Sequence, residues 1–296
     1  MSLSSIEATT EALAHESYVV DIGLSTSLFL ALKMGRALLL EGEPGVGKTE
    51  LAKVLSRVFN TPLIRLQCYE GIDISQAVYE WNYPRQLLEI QARQQRSPAE
   101  HGHATDEIYS EAFLLKRPLL QAIDQAHERA PVLLIDELDR ADEEFESFLL
   151  ELLSDFQITI PELGTLKAAH RPIIIITSNR TRELHDALKR RCIYHWIDYP
   201  TYAKELEIVA RKLPGLSMRL AEQVVGFVQA LRRQELAKNP GVAETLDWCE
   251  ALGHLNAQQL NRELVHATLG MVLKYQDDID KLRGPLIDEL LLTSAN

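Results

Sequence analysis

The sequence predicts a doubly wound α/β domain followed by an all-α domain. Three observations predict it. Short apolar runs alternate with helical stretches over residues 1–200. A glycine-rich phosphate loop joins the first run to a helix. After Pro200 the apparent strands stop.

The five predicted strands are Ala37–Glu41, Leu63–Gln67, Val132–Asp136, Ile173–Thr177 and Tyr194–Asp198. They are apolar along most of their length, the pattern of parallel strands covered on both faces. Between them, Lys48–Phe59, Leu119–Ala130 and Glu143–Ser154 carry helical periodicity. This alternation implies a parallel five-stranded sheet with helices on both faces. Beyond Pro200, the segments Tyr202–Lys212, Met218–Arg233, Ala243–Leu252 and Leu260–Tyr275 read as helices, punctuated by Pro214-Gly215 and Pro240-Gly241. The expected domains are therefore residues 1–200, with an N-terminal helical segment, and residues 201–296.

Composition bounds the function. A chain of 296 residues with 46% apolar content can bury a core in each of two domains. The longest apolar runs, such as Leu38–Leu40 and Ile173–Ile176, are too short to span a bilayer. The N-terminal residues show no basic start before an apolar stretch, so no signal peptide is expected and the expected location is cytoplasmic. Cys68, Cys192 and Cys249 are widely spaced and odd in number, which fits buried thiols in a reducing cytosol better than a zinc site or a disulfide framework. A net charge of −12 repels duplex DNA on average. It disfavours a nucleic-acid partner without excluding a local basic patch.

Gly42-Glu43-Pro44-Gly45-Val46-Gly47-Lys48-Thr49 fits G-x-x-x-x-G-K-[ST], after an apolar strand and at the start of a helix. The glycines let backbone N–H groups turn inward around phosphate oxygens, and the helix N-terminus adds partial positive charge. Lys48 is expected on the β- and γ-phosphates of ATP, and the Thr49 hydroxyl on Mg2+. Glu50 follows in the first helical turn and belongs to the expected nucleotide-binding set. The bland alternative is a Gly-Pro turn that happens to precede Lys-Thr.

A second motif, Val132-Leu133-Leu134-Ile135-Asp136-Glu137, ends an apolar strand in two carboxylates. Ligands of open α/β sheets bind at such strand ends. Asp136 is expected to hold Mg2+, directly or through water. Glu137 is expected to orient and polarise the attacking water. Asn179, after the strand Ile173–Ile176 and Thr177-Ser178, reads as a γ-phosphate contact or as an ordinary turn residue. Lys189-Arg190-Arg191 reads as a helix end favoured by the dipole, or as an arginine finger offered to a neighbouring subunit.

In this order the motifs resemble those of the AAA+ ATPases, and the helical C-terminal part resembles their lid. Asp136-Glu137-Leu138-Asp139-Arg140-Ala141 looks like a D-E-[IL]-[ND]-R-A segment of the MoxR family. Phe156–Thr165 looks like the hairpin such proteins insert into a helix after the second motif. Tyr69-Glu70-Gly71-Ile72-Asp73, with Tyr79-Glu80-Trp81-Asn82-Tyr83-Pro84, is similar to the CoxD-like branch. The resemblance implies an ATPase that works as a ring, by analogy a hexamer. It also implies a partner with a von Willebrand factor A domain and a metalloenzyme client that the ring matures or activates. It makes Asn179 the sensor-1 position, Arg191 the finger with Arg190 as fallback, and Arg140 a second candidate for reaching across a subunit interface.

One departure stands out. The lid stretch where a sensor-2 arginine is expected reads Gly241-Val242-Ala243-Glu244-Thr245-Leu246, with no arginine. Two rival functions remain from the residues: a nucleic-acid motor or loader on the same core, and a monomeric small-molecule kinase or nucleotide-binding module. The hairpin Phe156–Lys167 offers Lys167 against Glu162, with Asp155 just before it, which disfavours the first. The finger candidates and the lid disfavour the second. Gln91–Ser110 reads as a polar exposed insertion, and Tyr79, Trp81 and Tyr83 beside it as either core or a partner surface.

Overall fold

A computed structural model describes residues 3–94 and 108–294. Strands β1 (Ala37–Gly42), β2 (Leu63–Gln67), β5 (Val132–Asp136), β8 (Ile173–Ser178) and β9 (Cys192–Ile197) form one sheet in the order β2-β5-β8-β1-β9. The pairings of β2 with β5, β5 with β8 and β8 with β1 are parallel. The five expected strands are therefore the five found. Alternate residues serve opposite faces. Ala37, Leu39, Leu133, Ile135, Ile174 and Ile176 join one core cluster, while Leu38, Leu40, Val132, Leu134 and Ile175 between them are equally buried.

The chain divides into two compact units. One contains Gly23–Glu41 and Ala52–His195 with the N-terminal residues to Ser5. The other contains Ile6–Ile22, Gly42–Leu51 and the chain from Trp196 onward. The phosphate loop thus packs in the same unit as the all-α region.

Several helix expectations are corrected. The stretch read as a helix over Leu119–Ala130 is helical only over Pro118–Ala122. Asp124 ends it: its carboxylate accepts the Ala126 N–H at 3.1 Å and pairs with Lys116 at 2.8 Å. An Asp side chain here competes with the helix for backbone donors. The hairpin expected inside a helix instead follows one. Helix Glu143–Asp155 closes at Phe156, whose φ of 54° turns the chain left-handed, and β6 (Gln157–Ile160) pairs antiparallel with β7 (Gly164–Lys167). From there the chain runs to β8 with no further helix.

A second small antiparallel sheet, β3 (Tyr79–Trp81) with β4 (Leu114–Lys116), was not foreseen. The insertion read over Gln91–Ser110 begins inside helix Tyr83–Gln94, and residues 95–107 lie outside the described residues. The neighbouring aromatics divide: Trp81 is buried, edge-on to Tyr79 and Tyr109, whereas Tyr83 is exposed.

In the second unit, helix Ile6–His15 is joined after Trp196 by Tyr202–Lys212, Met218–Leu231, Val242–His254, Arg262–Val272, Gln276–Leu282 and Pro285–Ser294, the last two unforeseen. Ser217 and Asn261 cap two of them with side-chain oxygens, which fixes the starts at Met218 and Arg262. At the centre, buried Glu205 accepts both guanidinium arms of Arg232, at 2.6 and 2.7 Å, and the hydroxyl of Thr245 at 2.7 Å. Arg232 also donates to the Pro240 carbonyl at 2.8 Å and lies over the Tyr199 ring. This network ties the helices to the Pro240-Gly241 turn.

Replacing only one member of the pair strands a buried charge. Arg232→Met is expected to lower unfolding stability by about 3–5 kcal/mol, and the double variant Arg232→Met with Glu205→Leu to recover much of it. Urea denaturation followed by circular dichroism reads both.

Candidate functional site

The phosphate loop owes its course to glycines. Gly42, Gly45 and Gly47 have φ values of 154°, 78° and 95°. A Cβ on Gly42 would lie 2.1 Å from the Ile197 carbonyl oxygen, so only glycine fits. Lys48 is buried and donates to the carbonyls of Gly42 and Glu43 at 2.7 and 2.8 Å. Thr49 and Glu50 follow in the first turn of helix Lys48–Phe59, and Lys212 pairs with Glu50 at 3.3 Å.

The stretch without a sensor-2 arginine packs directly on this loop. The Ala243 N–H donates to the Gly45 carbonyl at 3.2 Å. A Cβ on Gly241 would meet the Pro44 carbonyl oxygen at 2.7 Å and Gly45 Cα at 2.8 Å. Glu244 accepts the Gly241 N–H at 3.0 Å and so caps helix Val242–His254. The carboxylate at this position serves the helix start. The Tyr18 hydroxyl reaches the Gly47 carbonyl at 3.4 Å, and burial, with Asp21 and Glu50 adding to it, pushes that phenol's pKa up.

In the other unit, the end of β5 carries the acidic motif and the end of β8 lies beside it. Asp136 is buried, and its Oδ1 accepts the Thr177 hydroxyl at 2.6 Å. The same hydroxyl oxygen accepts the Glu137 N–H at 2.9 Å. Glu137 itself sits at φ 55°, in the left-handed region, as the chain leaves the strand. Its carboxylate pairs with Arg140 of the same chain at 3.3 Å. Buried Asp139 receives the backbone N–H groups of Asn179 at 3.2 Å and Thr181 at 2.8 Å, and the Thr181 hydroxyl at 2.7 Å. Asn179 is half-buried at the end of this arrangement.

Sequence reasoning assigned no role to three of these groups: Thr177, Asp139 as an anchor, and Glu41. Glu41 is buried at the end of β1, where it accepts the Ser178 hydroxyl at 3.2 Å and lies 4.0 Å from Arg180. A carboxylate inside an apolar strand was the available signal for Glu41. A Thr after four isoleucines was the signal for Thr177.

The two finger candidates differ. The Arg191 guanidinium donates to Ser154 Oγ at 2.6 Å and to the Ala187 carbonyl at 2.9 Å, so it is tied down within its own chain. Arg190 caps the short helix Asp186–Lys189 through its backbone, and its side chain is exposed. Arg36 donates to the carbonyls of both. Lys189 and Arg180 hydrogen-bond to Glu183 and hold its carboxyl at about 2.

Among the described residues no group of three or more His, Cys, Asp or Glu could hold a metal on its own, and no helix is long and apolar enough to cross a membrane. A threonine hydroxyl and a strand-end carboxylate are hard oxygen donors that suit Mg2+ shared with phosphates rather than a protein cage.

Residues 37–192, just over half of the chain, match the AAA domain family, dynein-related subfamily, and the chain belongs to that family. Among curated relatives, the uncharacterized protein YehL of Escherichia coli K12 is 29% identical over 194 residues, which are 62% of this chain and 47% of that protein. The chain thus spans about half the length of YehL. The uncharacterized protein SERP0979 of Staphylococcus epidermidis is 30% identical over 68% of this chain and 70% of its own length. YojN of Bacillus subtilis, also uncharacterized, is 27% identical over 88% of this chain and 80% of its own. Among solved structures, a Thermotoga maritima RuvB mutant is similar at 18% identity over 93% of this chain and 72% of that one, with a TM-score of 0.49.

Beside the acidic motif, the Cys68 N–H donates to the Asp136 carbonyl at 2.9 Å. Burial, with the charges of Asp136, Asp139 and Glu137 adding to it, pushes the Cys68 thiol up to about 12. Burial likewise pushes Cys192 and Cys249 up to about 12. At pH 8 roughly one thiol in 10⁴ would be ionised at each site. All three cysteines should therefore resist iodoacetamide in the native protein at pH 8 and react once it is unfolded, as counted by intact mass.

Proposed function

We propose that the chain is a Mg2+-dependent ATPase that works as an oligomeric ring and remodels a protein partner. The observation that carries this reading is the phosphate loop, with its positive-φ glycines, buried Lys48 and Thr49 opening a helix. By their motif positions, the loop N–H groups and Lys48 bind the ATP phosphates, and Thr49 and Asp136 hold Mg2+. The ion, when bound, neutralises charge that develops on the transferring phosphoryl group.

The remaining steps belong to protein side chains, one of them from a neighbouring copy. Glu137 accepts a proton from the attacking water and aims it at the γ-phosphorus. Asn179, fixed through its backbone by Asp139, hydrogen-bonds the γ-phosphate. An arginine from a neighbouring copy supplies the last positive charge. Arg190 suits that role because its side chain is exposed, whereas Arg191 holds Ser154 and Ala187. Arg140 is the weaker candidate, since it pairs with Glu137 of its own chain.

Likeness to the MoxR family and its CoxD-like branch supports the finer reading: a hexameric ring, a partner with a von Willebrand factor A domain, and a metalloenzyme client. The net charge of −12 favours a protein client over nucleic acid.

Two experiments test this. Lys48→Ala should lose tight ATP binding. Glu137→Gln should bind ATP with wild-type affinity and turn it over at least about 100-fold more slowly, the scale of a lost general base. Calorimetry and phosphate release read the two separately. Wild-type affinity in the first, or wild-type turnover in the second, would remove that residue from the mechanism.

If the finger acts in trans, Arg190→Ala should bind ATP and hydrolyse it poorly. Mixing it with Glu137→Gln should restore activity, because some interfaces then pair an intact Glu137 with an intact Arg190. Arg191→Ala should instead lower the melting temperature, having lost its own-chain contacts. A dead mixture despite co-assembly on native mass spectrometry would count against Arg190.

A further inference from the structure

The acidic motif has a cationic neighbour to which the proposed mechanism assigns no role. Arg65 lies on β2, the edge strand, which runs parallel to β5 with Arg65 opposite Leu134 and Gln67 opposite Asp136. Its side chain leans forward along the sheet edge. Both Nε and one terminal nitrogen donate to Asp136 Oδ2, at 3.1 and 2.6 Å. That terminal nitrogen also reaches Gln67 Oε1 at 2.5 Å. Asp136 is buried and its other oxygen, Oδ1, accepts the Thr177 hydroxyl. The Arg65 side chain is half exposed, at 50% against 3% for Asp136.

We propose that Arg65 is a counter-ion that competes with a divalent cation for Asp136, and that it thereby lowers the metal affinity of this carboxylate. The inference rests on the reading of Asp136 as a metal-holding residue. A guanidinium and a metal ion both take the lone pairs of Oδ2, and two cations on one oxygen repel. Thr177 takes one lone pair of Oδ1, while two guanidinium nitrogens crowd Oδ2, so a cation that reaches Oδ2 competes with Arg65. The guanidinium compensates a carboxylate that burial would otherwise penalise. It is weakly hydrated, tethered by a flexible stem and open to solvent on one side, so it can withdraw at a modest cost that the metal must meet. Gln67, already in contact, gives it a second acceptor to hold once Oδ2 is taken. The ion pair thus keeps the acidic strand end compensated and yields it to the metal.

Mn2+ is the probe, titrated into the full chain with saturating ADP while free Mn2+ is read by electron paramagnetic resonance. Arg65→Gln removes the competing charge and should tighten Mn2+ binding about tenfold, the scale of one charge-assisted hydrogen bond. Arg65→Lys keeps the charge but loses the two-nitrogen grip, and should tighten binding by less. It also guards against a folding defect in the neutral variant. Unchanged or weaker Mn2+ binding in both variants would overturn the proposal, and weaker binding would make Arg65 a positioning residue for Asp136. Asp136→Asn separates the two levels of the argument. If it binds Mn2+ as the wild type does, Asp136 is not a ligand, and both readings fail. If it loses Mn2+ while the Arg65 variants match the wild type, only the inference about Arg65 falls.

Discussion

The hydroxyl of Thr177 couples the end of β8 to the acidic motif at the end of β5. It donates to Asp136 and accepts from the Glu137 N–H, so β8 fixes both the carboxylate and the backbone turn at the end of β5. Parallel pairing brings the two strands into register, Ile135 opposite Ile176, and the hydroxyl sits one residue beyond that pair. Asp139 repeats the logic a turn later, drawing the backbone of Asn179 and Thr181 toward the acidic motif. The Asp136 carboxylate and the backbones of Glu137 and Asn179 are thus fixed by neighbouring side chains, the kind of support a preorganised site requires.

The other unit uses steric fit in place of hydrogen bonds. Gly42 and Gly241 leave no room for a Cβ, against Ile197 and Pro44 respectively. The loop is held by close backbone approach, and the start of helix Val242–His254 lies on it. Glu244 spends its carboxylate on the Gly241 N–H. That gives a local structural reason for an acidic residue in a stretch where a phosphate-sensing cation was expected.

The sheet was legible because buried parallel strands write long apolar runs, and all five were read nearly to the residue. The phosphate loop and the Asp136-Glu137 pair were legible because spacing and residue type together are restrictive. Helix ends were less so. The stretch after Pro118 had a helical period but lost its helix to the side chain of Asp124, a competition that periodicity does not register. The antiparallel pair Tyr79–Trp81 with Leu114–Lys116 joins strands far apart in sequence, and nothing local announces such a pairing. Thr177 and Asp139 were passed over for a similar reason. Their partners lie about forty residues away, and only the folded chain brings them together.

The backbone at Glu137 carries a consequence of its own. A φ of 55° is a conformation that glycine and asparagine adopt readily and glutamate does not. The carboxylate read here as the base therefore occupies a strained position, at a cost on the order of 1 kcal/mol. Evolution toward a more stable fold and evolution toward faster turnover would choose different residues at this position. If Glu137 is the base, a glycine or asparagine there would relax the backbone and remove the carboxylate together.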